Sequence, residues 1–166
     1  MSSDLLRGRV WRFDHDISTD VLSPGTYAVD SVEVRKLHTL ESVNPSFASE
    51  VQPGDVVVAG RNFGCGSSRE TAAENLKVLG VACVAAESFS RLFMRNAVAV
   101  GLPVLVCAGV HAAFADGDRI EIDLASGVAR GAGSGTELQG DPLPEEMRQI
   151  LAAGGILAVL KGADGA

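Results

Sequence analysis

The sequence predicts a single α/β domain, residues 1–166, that combines a parallel β-sheet with additional antiparallel strands. Between residues 56 and 107, apolar strands alternate with amphipathic helices, the order of strand–helix–strand units with right-handed crossovers. Polar and apolar residues alternate on both sides of that region, as in strands with one buried face. A chain of 166 residues with 46% hydrophobic residues can build one domain around its own core.

The N-terminal third of the chain predicts two strands separated by a polar loop and a short helix. Residues 8–13 alternate polar and apolar side chains, which predicts a half-buried strand. We interpret the polar residues 14–20 as Asx and Ser/Thr turns, since the glycine and distal glutamate of a calcium loop are missing. Residues 31–40 fit a short helix, which Asn-Pro at 44–45 ends. Residues 56–59 form a continuous apolar run, typical of a strand buried on both faces.

After a glycine-rich turn, helices and strands alternate and a hairpin follows. The predicted elements are a helix after Ser68 that ends at Gly80, a strand over 81–85, a helix over 90–98 capped by Ser88 or Ser90, a strand over 104–107, hairpin strands over 118–124 and 128–130, and a final helix over 142–151. Helical spacing of apolar residues marks the helices, and alternation marks the hairpin. Residues 131–140 are rich in glycine, so we expect a mobile loop there.

Charge and composition exclude several classes of protein. The 14 basic and 21 acidic residues give a net charge of −7, which argues against a nucleic-acid-binding surface. The first residues lack the basic start and apolar run of a signal peptide, and no apolar stretch approaches the ~18 residues of a membrane span. We therefore expect a cytoplasmic protein.

The cysteines predict neither a disulfide framework nor a metal site. Cys65, Cys83 and Cys107 are odd in number, far apart in the sequence, and form no Cys-x-x-Cys pair. Cys83 and Cys107 lie in apolar runs and are expected to be buried small hydrophobic residues. We expect no metal or other cofactor to be bound by this chain.

The stretch 60–70, Gly-Arg-Asn-Phe-Gly-Cys-Gly-Ser-Ser-Arg-Glu, connects a predicted strand to a predicted helix. Gly64 and Gly66 permit a sharp structural turn and a close approach to a ligand. The helix amides, two hydroxyls and one guanidinium that follow converge on a small volume. Such a volume suits an anion.

Three kinds of site compete for this stretch. A phosphate loop is disfavoured because the Lys-Ser/Thr pair of a P-loop and the third glycine of a dinucleotide loop are missing. Cys65 could act as a nucleophile near a helix N-terminus, but a small side chain in a tight turn explains it equally well. In the third interpretation, helix amides with Ser67, Ser68 and Arg69 hold a substrate carboxylate. A capping box from Ser67 to Glu70 would account for one serine, but not for the whole set.

Residues 62–70, Asn-Phe-Gly-Cys-Gly-Ser-Ser-Arg-Glu, resemble the signature of the small subunits of 3-isopropylmalate dehydratase and their relatives in the aconitase superfamily. The resemblance extends over essentially the whole sequence. Further matching motifs are Asp-Ile-Ser-Thr-Asp at 16–20, Pro-Gly at 24–25, Pro-Gly-Asp at 53–55, Ser-Phe at 88–89, Arg-Asn at 95–96, Gly-Leu-Pro at 101–103 and Pro-Leu-Pro at 142–144.

The resemblance implies a swivelling β/β/α three-layer domain that forms a separate small subunit. In such enzymes a large partner subunit carries a [4Fe-4S] cluster on its own cysteines, and the active site forms between the two chains. We therefore expect a heterodimer or heterotetramer in which Cys65 is not a cluster ligand. We also expect this chain to be inactive alone.

The resemblance also assigns roles to individual residues. The reaction removes and re-adds water on a hydroxy-diacid, with a base that takes a carbon-bound proton and a Lewis acid that helps the hydroxyl leave. By similarity, Ser67 is the base in its alkoxide form, and Ser68 and Arg69 bind a substrate carboxylate. Because a serine hydroxyl is a very weak acid, the helix N-terminus, Arg69 and the partner's cluster environment must favour its anion.

The resemblance further places the loop after Pro-Gly at 24–25 over the variable end of the substrate, with Tyr27 and Val29 among the substrate-binding residues. An arginine in this loop would suit a carboxylate-bearing chain such as that of homocitrate. Val29 favours an alkyl group, because a desolvated carboxylate without a partner is costly. We therefore expect isomerisation of 3-isopropylmalate and 2-isopropylmalate in leucine biosynthesis.

Departures from the family pattern keep other substrates open. Ala28 and Asp30 fit neither the leucine-pathway nor the lysine-pathway pattern, and His15 stands where an acidic residue is usual. A 2,3-dimethylmalate dehydratase is the second candidate, and a homoaconitate or citrate type is the third. A non-catalytic chain that binds a partner through this fold is a different class of candidate, disfavoured because a scaffold needs neither the serine pair nor the arginine.

Overall fold

The computed structural model describes residues 4–67 and 69–164 of the chain. Within those ranges the strands are β1 (Leu5–Arg12), β2 (Val56–Ala59), β3 (Cys83–Ala86), β4 (Val104–Val106), β5 (Arg119–Asp123), β6 (Val128–Gly131) and β7 (Glu137–Gln139). The α-helices are α1 (Thr19–Leu22), α2 (Val32–Arg35), α3 (Phe47–Glu50), α4 (Glu70–Val78), α5 (Arg91–Val100), α6 (Val110–Ala113), α7 (Glu145–Ala152) and α8 (Ile156–Asp164). Short 3-10 turns lie at Gly25–Tyr27 and Lys36–His38.

The strands form one seven-stranded sheet in the order β4-β3-β2-β1-β5-β6-β7. β1 lies at the boundary between its two parts: it pairs in parallel with β2, with Val10 opposite Val56, and antiparallel with β5, with Gly8 opposite Ile120. β2, β3 and β4 continue the parallel part, and β6 and β7 continue the antiparallel part. The predicted combination of a parallel sheet with additional antiparallel strands is therefore confirmed.

Alternate residues of the central strands face two separate cores. On β2, Val57 and Ala59 join a cluster that includes apolar residues of α4 and α5. Val56 and Val58 join the other cluster, with Ile122 of β5 among its members. Helices α4 and α5 thus cover one face of the parallel strands, and the curled antiparallel part of the sheet covers the other together with residues of α6 and α7. This arrangement corresponds to β/β/α layering.

Several boundaries differ from the sequence prediction. The glycine-rich stretch 131–140, predicted to be a mobile loop, contains β7, which pairs with β6 and places Leu138 against the core. The predicted helix over residues 31–40 is α2 followed by a 3-10 turn, and α1 lies within the predicted polar loop. α8 was not predicted; it begins directly after Gly154-Gly155 and packs against α5. In each case tertiary contacts, and not local sequence preference, determine the secondary structure.

None of the helices in residues 4–67 and 69–164 is long and apolar enough to span a membrane.

A buried hydrogen-bond network ties the turn before β2 to β1. The indole Nε1 of Trp11 donates to Oδ2 of Asp55 at 2.9 Å, and the same oxygen accepts from the amide of Gln52 at 2.8 Å. Asp55 is 6% exposed, so water cannot easily replace it as the acceptor. The guanidinium of Arg9 lies 4.1 Å above the Trp11 ring and covers it from solvent.

We expect Asp55→Ala to lower the free energy of unfolding by about 1–3 kcal/mol, because two buried donors would lose their acceptor. Urea unfolding of the purified chain, followed by the fluorescence of its single tryptophan, measures this loss. Asp55→Asn is the control, since its amide oxygen can still accept both bonds and the loss should be smaller. Equal unfolding midpoints for Asp55→Ala and the unmodified chain would contradict the assignment.

Candidate active site

The loop after β1 and the turn after β2 are paired through their backbones. The amide of Gly64 donates to the carbonyl of Ile17 at 2.7 Å, and the amide of Thr19 donates to the carbonyl of Cys65 at 2.8 Å. Both segments leave the carboxyl ends of parallel strands, which is where open α/β sheets bind their ligands. The pairing brings polar side chains of both loops into one place.

Two glycines make this turn possible. Gly64 and Gly66 have φ angles of +79° and +98°, in the region that other residues rarely adopt. At Gly64 there is no room for a side chain either, because a Cβ would overlap Phe93 of α5. The α5 helix is fixed to the same turn through Ser90, whose hydroxyl donates to the carbonyl of Gly64 at 2.8 Å.

The predicted capping box is wrong. α4 begins at Glu70 with Arg69 as its N-cap residue, and the Arg69 side chain makes no capping hydrogen bond. Ser67 lies two residues before that cap, and its side chain contacts other groups instead. Its exposed hydroxyl lies 3.4 Å from Oγ1 of Thr19, and the Thr19 hydroxyl donates to the Ser67 carbonyl at 2.9 Å.

Arg69 lies directly beside Ser67, and most of its polar contacts are to the loop after β1. Its Nε donates to Oγ of Ser67 at 3.3 Å. Its Nη1 donates to the carbonyl of Ser23 at 2.9 Å and lies 3.2 Å from Oδ1 of Asp20. Nη2 makes no hydrogen bond or ion pair with residues 4–67 and 69–164. The guanidinium is thus held in place by Ser67, Ser23 and Asp20 through Nε and Nη1.

Asp20 and Thr19 were not predicted as site residues. The structure places the Asp20 carboxylate against Arg69, and the same Oδ1 accepts from the amide of Gly25 at 3.2 Å. Thr19, which was assigned to a turn, is buried and contacts Ser67. The hydroxyl and carboxylate content of residues 14–20 was the available signal, but local turns explain that content equally well. Only the backbone pairing with the glycine turn distinguishes a role in the site from a role in local turns.

The predicted substrate-binding residues Tyr27 and Val29 lie on the loop that follows. Tyr27 is half-buried and stacks on His38, with ring centroids 3.6 Å apart. Val29 is 97% exposed, and no hydrogen bond or ring contact joins Tyr27 to Ser67 or Arg69 among the described residues. The structure therefore brings Ser67 and Arg69 into contact, whereas Tyr27 and Val29 lie on a later segment of the loop after β1. Ser68 lies outside the described residues.

His15 supports the backbone of the turn. Its Nδ1 accepts a hydrogen bond from the amide of Arg61 at 2.7 Å, and a Cβ on Gly60 would overlap its ring. The ring also lies 4.6 Å from the ring of His111. Where an acidic residue was expected, the histidine thus supplies the acceptor for the Arg61 amide.

The cysteines lie in different environments. Cys65 is half-buried at the turn, whereas Cys83 and Cys107 are buried. Burial, and secondarily the charges of Asp141 and Glu87, raise the pKa of Cys107 to about 11. Burial, with Cys107 as the lesser cause, raises the pKa of Cys83 as well. Both buried thiols therefore stay protonated near neutral pH, which disfavours metal binding.

No group of three or more metal-binding side chains that could hold an ion occurs in the described part of the chain. An iron–sulfur cluster needs several thiolates around one volume. Two of the three cysteines are buried protonated thiols, so the residues of this chain do not fit such a cluster.

Comparisons with known proteins agree with this geometry. Residues 22–108 match the family described as the aconitase C-terminal domain. The chain is 49% identical over 160 residues to 3-isopropylmalate dehydratase small subunit 1 of Methanopyrus kandleri, covering 95% of this chain and 94% of that relative. It is 47% identical over 154 residues to the methanogen homoaconitase small subunit of Methanothermobacter thermautotrophicus, covering 92% of this chain and 89% of that relative.

A solved structure is similar over the same extent. The crystal structure of 3-isopropylmalate dehydratase (LeuD) from Methanocaldococcus jannaschii superposes with a TM-score of 0.89 at 36% identity, covering 96% of this chain and 95% of that one. This chain therefore belongs to the aconitase C-terminal domain family, in the group of 3-isopropylmalate dehydratase small subunits and their relatives.

Proposed function

We propose that this chain is the small subunit of a heteromeric hydro-lyase that isomerises 3-isopropylmalate and 2-isopropylmalate by dehydration and rehydration, as in leucine biosynthesis. The observation that carries the proposal is the contact between Ser67 and Arg69, whose Nε lies 3.3 Å from the serine hydroxyl. The contact occurs in a chain 49% identical to a subunit named for this activity.

Ser67 is the proposed base. It takes the proton from the carbon adjacent to the one that bears the departing hydroxyl, and during rehydration it delivers a proton to the carbon that lost the hydroxyl. Its anion would be stabilised directly by the charged Nε–H of Arg69, and also by the positive end of α4, which begins three residues further on. The exposed position of Ser67 means that a covering partner must exclude water before these interactions become strong.

Arg69 is the proposed carboxylate anchor. Asp20 and the Ser23 carbonyl hold its Nη1 from one side, so the guanidinium has little freedom left to lose when a substrate binds. Nη2, which has no partner among residues 4–67 and 69–164, is proposed to donate to a substrate carboxylate. A dianionic substrate meets a chain with a net charge of −7, so a fixed local cation is needed to attract it.

The other half of the site is proposed to lie on a large partner subunit. Ser67 and Arg69 are open to solvent on the side that a substrate would approach. The [4Fe-4S] cluster that the family implies is assigned to that subunit, where it would supply the Lewis acid for the departing hydroxyl.

Val29 supports an alkylmalate as substrate. With 97% of its surface exposed, Val29 is free to contact a group that is absent from this chain. An alkyl end such as isopropyl would gain from burial against it, whereas a carboxylate would be desolvated without a partner. A homoaconitase type remains the alternative, because a relative of that name is 47% identical to this chain.

Ser67→Ala is expected to lower kcat of the reconstituted two-subunit enzyme by a factor of about 10²–10⁴, because it removes the proposed base. Steady-state turnover of 3-isopropylmalate measures the effect, and co-purification shows that the subunits still associate. Ser49→Ala, at an exposed serine on α3, is the matched control and should keep full activity. Full activity of Ser67→Ala would rule out the base assignment.

Val29→Arg is expected to move substrate preference from the alkylmalate towards homocitrate, a tricarboxylate. The added guanidinium can pair with the third carboxylate of homocitrate, whereas it fits an isopropyl group poorly. The ratio of kcat/KM for homocitrate to kcat/KM for 3-isopropylmalate should therefore rise by about tenfold or more. The matched control is Val43→Arg, at a half-exposed valine outside the loop, which should leave the ratio unchanged. An unchanged ratio in Val29→Arg would remove Val29 from the substrate-binding residues.

A further inference from the structure

We propose that His38, held by Glu41, is a positioning residue that sets substrate preference by fixing the loop of residues 27–30. The inference rests on the proposed function and deepens it, because this loop carries Val29. His38 would not touch the substrate. It would act through the Tyr27 ring on which it stacks.

The His38–Tyr27 stack fixes the near end of the loop. The two rings are 3.6 Å apart between centroids and are inclined by only 6°. Nδ1 of His38 lies 2.7 Å from Oε2 of Glu41, which fixes the orientation of the imidazole. The His38 side chain is 28% exposed and that of Glu41 is 39% exposed, so the pair lies at the surface yet is held at two points.

Arg35 fixes the far end of the same loop. Its Nε donates to the carbonyl of Asp30 at 3.1 Å. Nη1 donates to Oδ1 of Asn75 at 3.2 Å, and Nη2 donates to Oε1 of Glu74 at 2.6 Å. Both acceptors belong to α4, the helix that begins directly after Arg69. One end of the loop is therefore fixed to the helix that follows the proposed carboxylate anchor.

Between these two supports the loop has little to hold it. Its internal hydrogen bonds run from the amide of Ala28 to the carbonyl of Gly25 at 3.1 Å, and from the amide of Asp30 to the carbonyl of Tyr27 at 3.0 Å. Val29 is exposed at the tip and is not buried in the core. Without the stack, residues 27–30 would sample several conformations, and substrate binding would have to order them.

A loop fixed at both ends can discriminate by size through binding, because a substrate group that contacts an already ordered loop loses less free energy to ordering it. With this loop over the variable end of the substrate, as proposed, a long alkyl group would reach the tip of the loop and a short one would not. Loss of the stack should therefore weaken binding of the longer substrate more than binding of the shorter one. A contact that served only fold stability would affect both substrates alike.

The test uses the reconstituted two-subunit enzyme with 3-isopropylmalate and with 3-methylmalate, whose methyl group replaces isopropyl. We expect His38→Ala to raise KM for 3-isopropylmalate about tenfold, with kcat within about twofold and KM for 3-methylmalate nearly unchanged. His38→Phe keeps a planar ring over Tyr27 and should restore the ratio of kcat/KM values to within about threefold. Glu33→Gln, which removes the exposed ion pair to Lys36 in the same segment, is the matched control and should leave the ratio unchanged.

Hydrogen exchange provides a readout that needs no activity. In the same enzyme, the amides of Ala28 and Asp30 should exchange about tenfold faster in His38→Ala and close to the unmodified rate in His38→Phe. If no alkylmalate is turned over by the unmodified enzyme, the proposed function fails and exchange alone decides the inference. Unchanged exchange in His38→Ala would overturn the inference, and so would an equal loss of kcat for both substrates that His38→Phe does not restore.

Discussion

The candidate site depends on one backbone pairing, between the loop after β1 and the glycine turn after β2. The bonds from the Gly64 amide to Ile17 and from the Thr19 amide to Cys65 hold the two segments in a fixed register. That register sets Thr19 against Ser67, and Asp20 against Arg69. Because β1 and β2 are parallel neighbours, both loops leave the same edge of the sheet, and the fold itself supplies the convergence.

The candidate site combines side chains that are held in place with side chains that are exposed to solvent. Arg69 is held by the loop on one side and keeps Nη2 available on the other, while Ser67 stays exposed. Val29 lies on a neighbouring loop that Arg35 links to α4. The proposed base and carboxylate anchor thus lie just before α4, and the loop that carries Val29 is linked to residues 74 and 75 within the same helix. An incoming partner would complete the electrostatic environment without having to build this half of the site.

The fold class was predictable because its signals are local. The run Val56–Ala59 and the helix–strand alternation after it follow directly from hydrophobic periodicity. β7 was missed because glycines dominate a stretch that only pairing with β6 makes extended. Ser67 and Arg69 were predictable from their motif. The predicted capping box was wrong, because the Ser67 hydroxyl contacts Arg69, its near neighbour in sequence, and Thr19, which is distant in sequence. Asp20 could not be assigned from sequence, since its partner is 49 residues away.

If Ser67 and Arg69 form half of an active site, catalysis must require a second chain. The most direct measurement is the turnover of 3-isopropylmalate by the purified chain, assayed anaerobically before and after adding the large subunit. We expect no turnover by the chain alone and turnover when both subunits are present. Turnover by the isolated chain would contradict the half-site, and so would a complex that forms but stays inactive on every alkylmalate and on homocitrate.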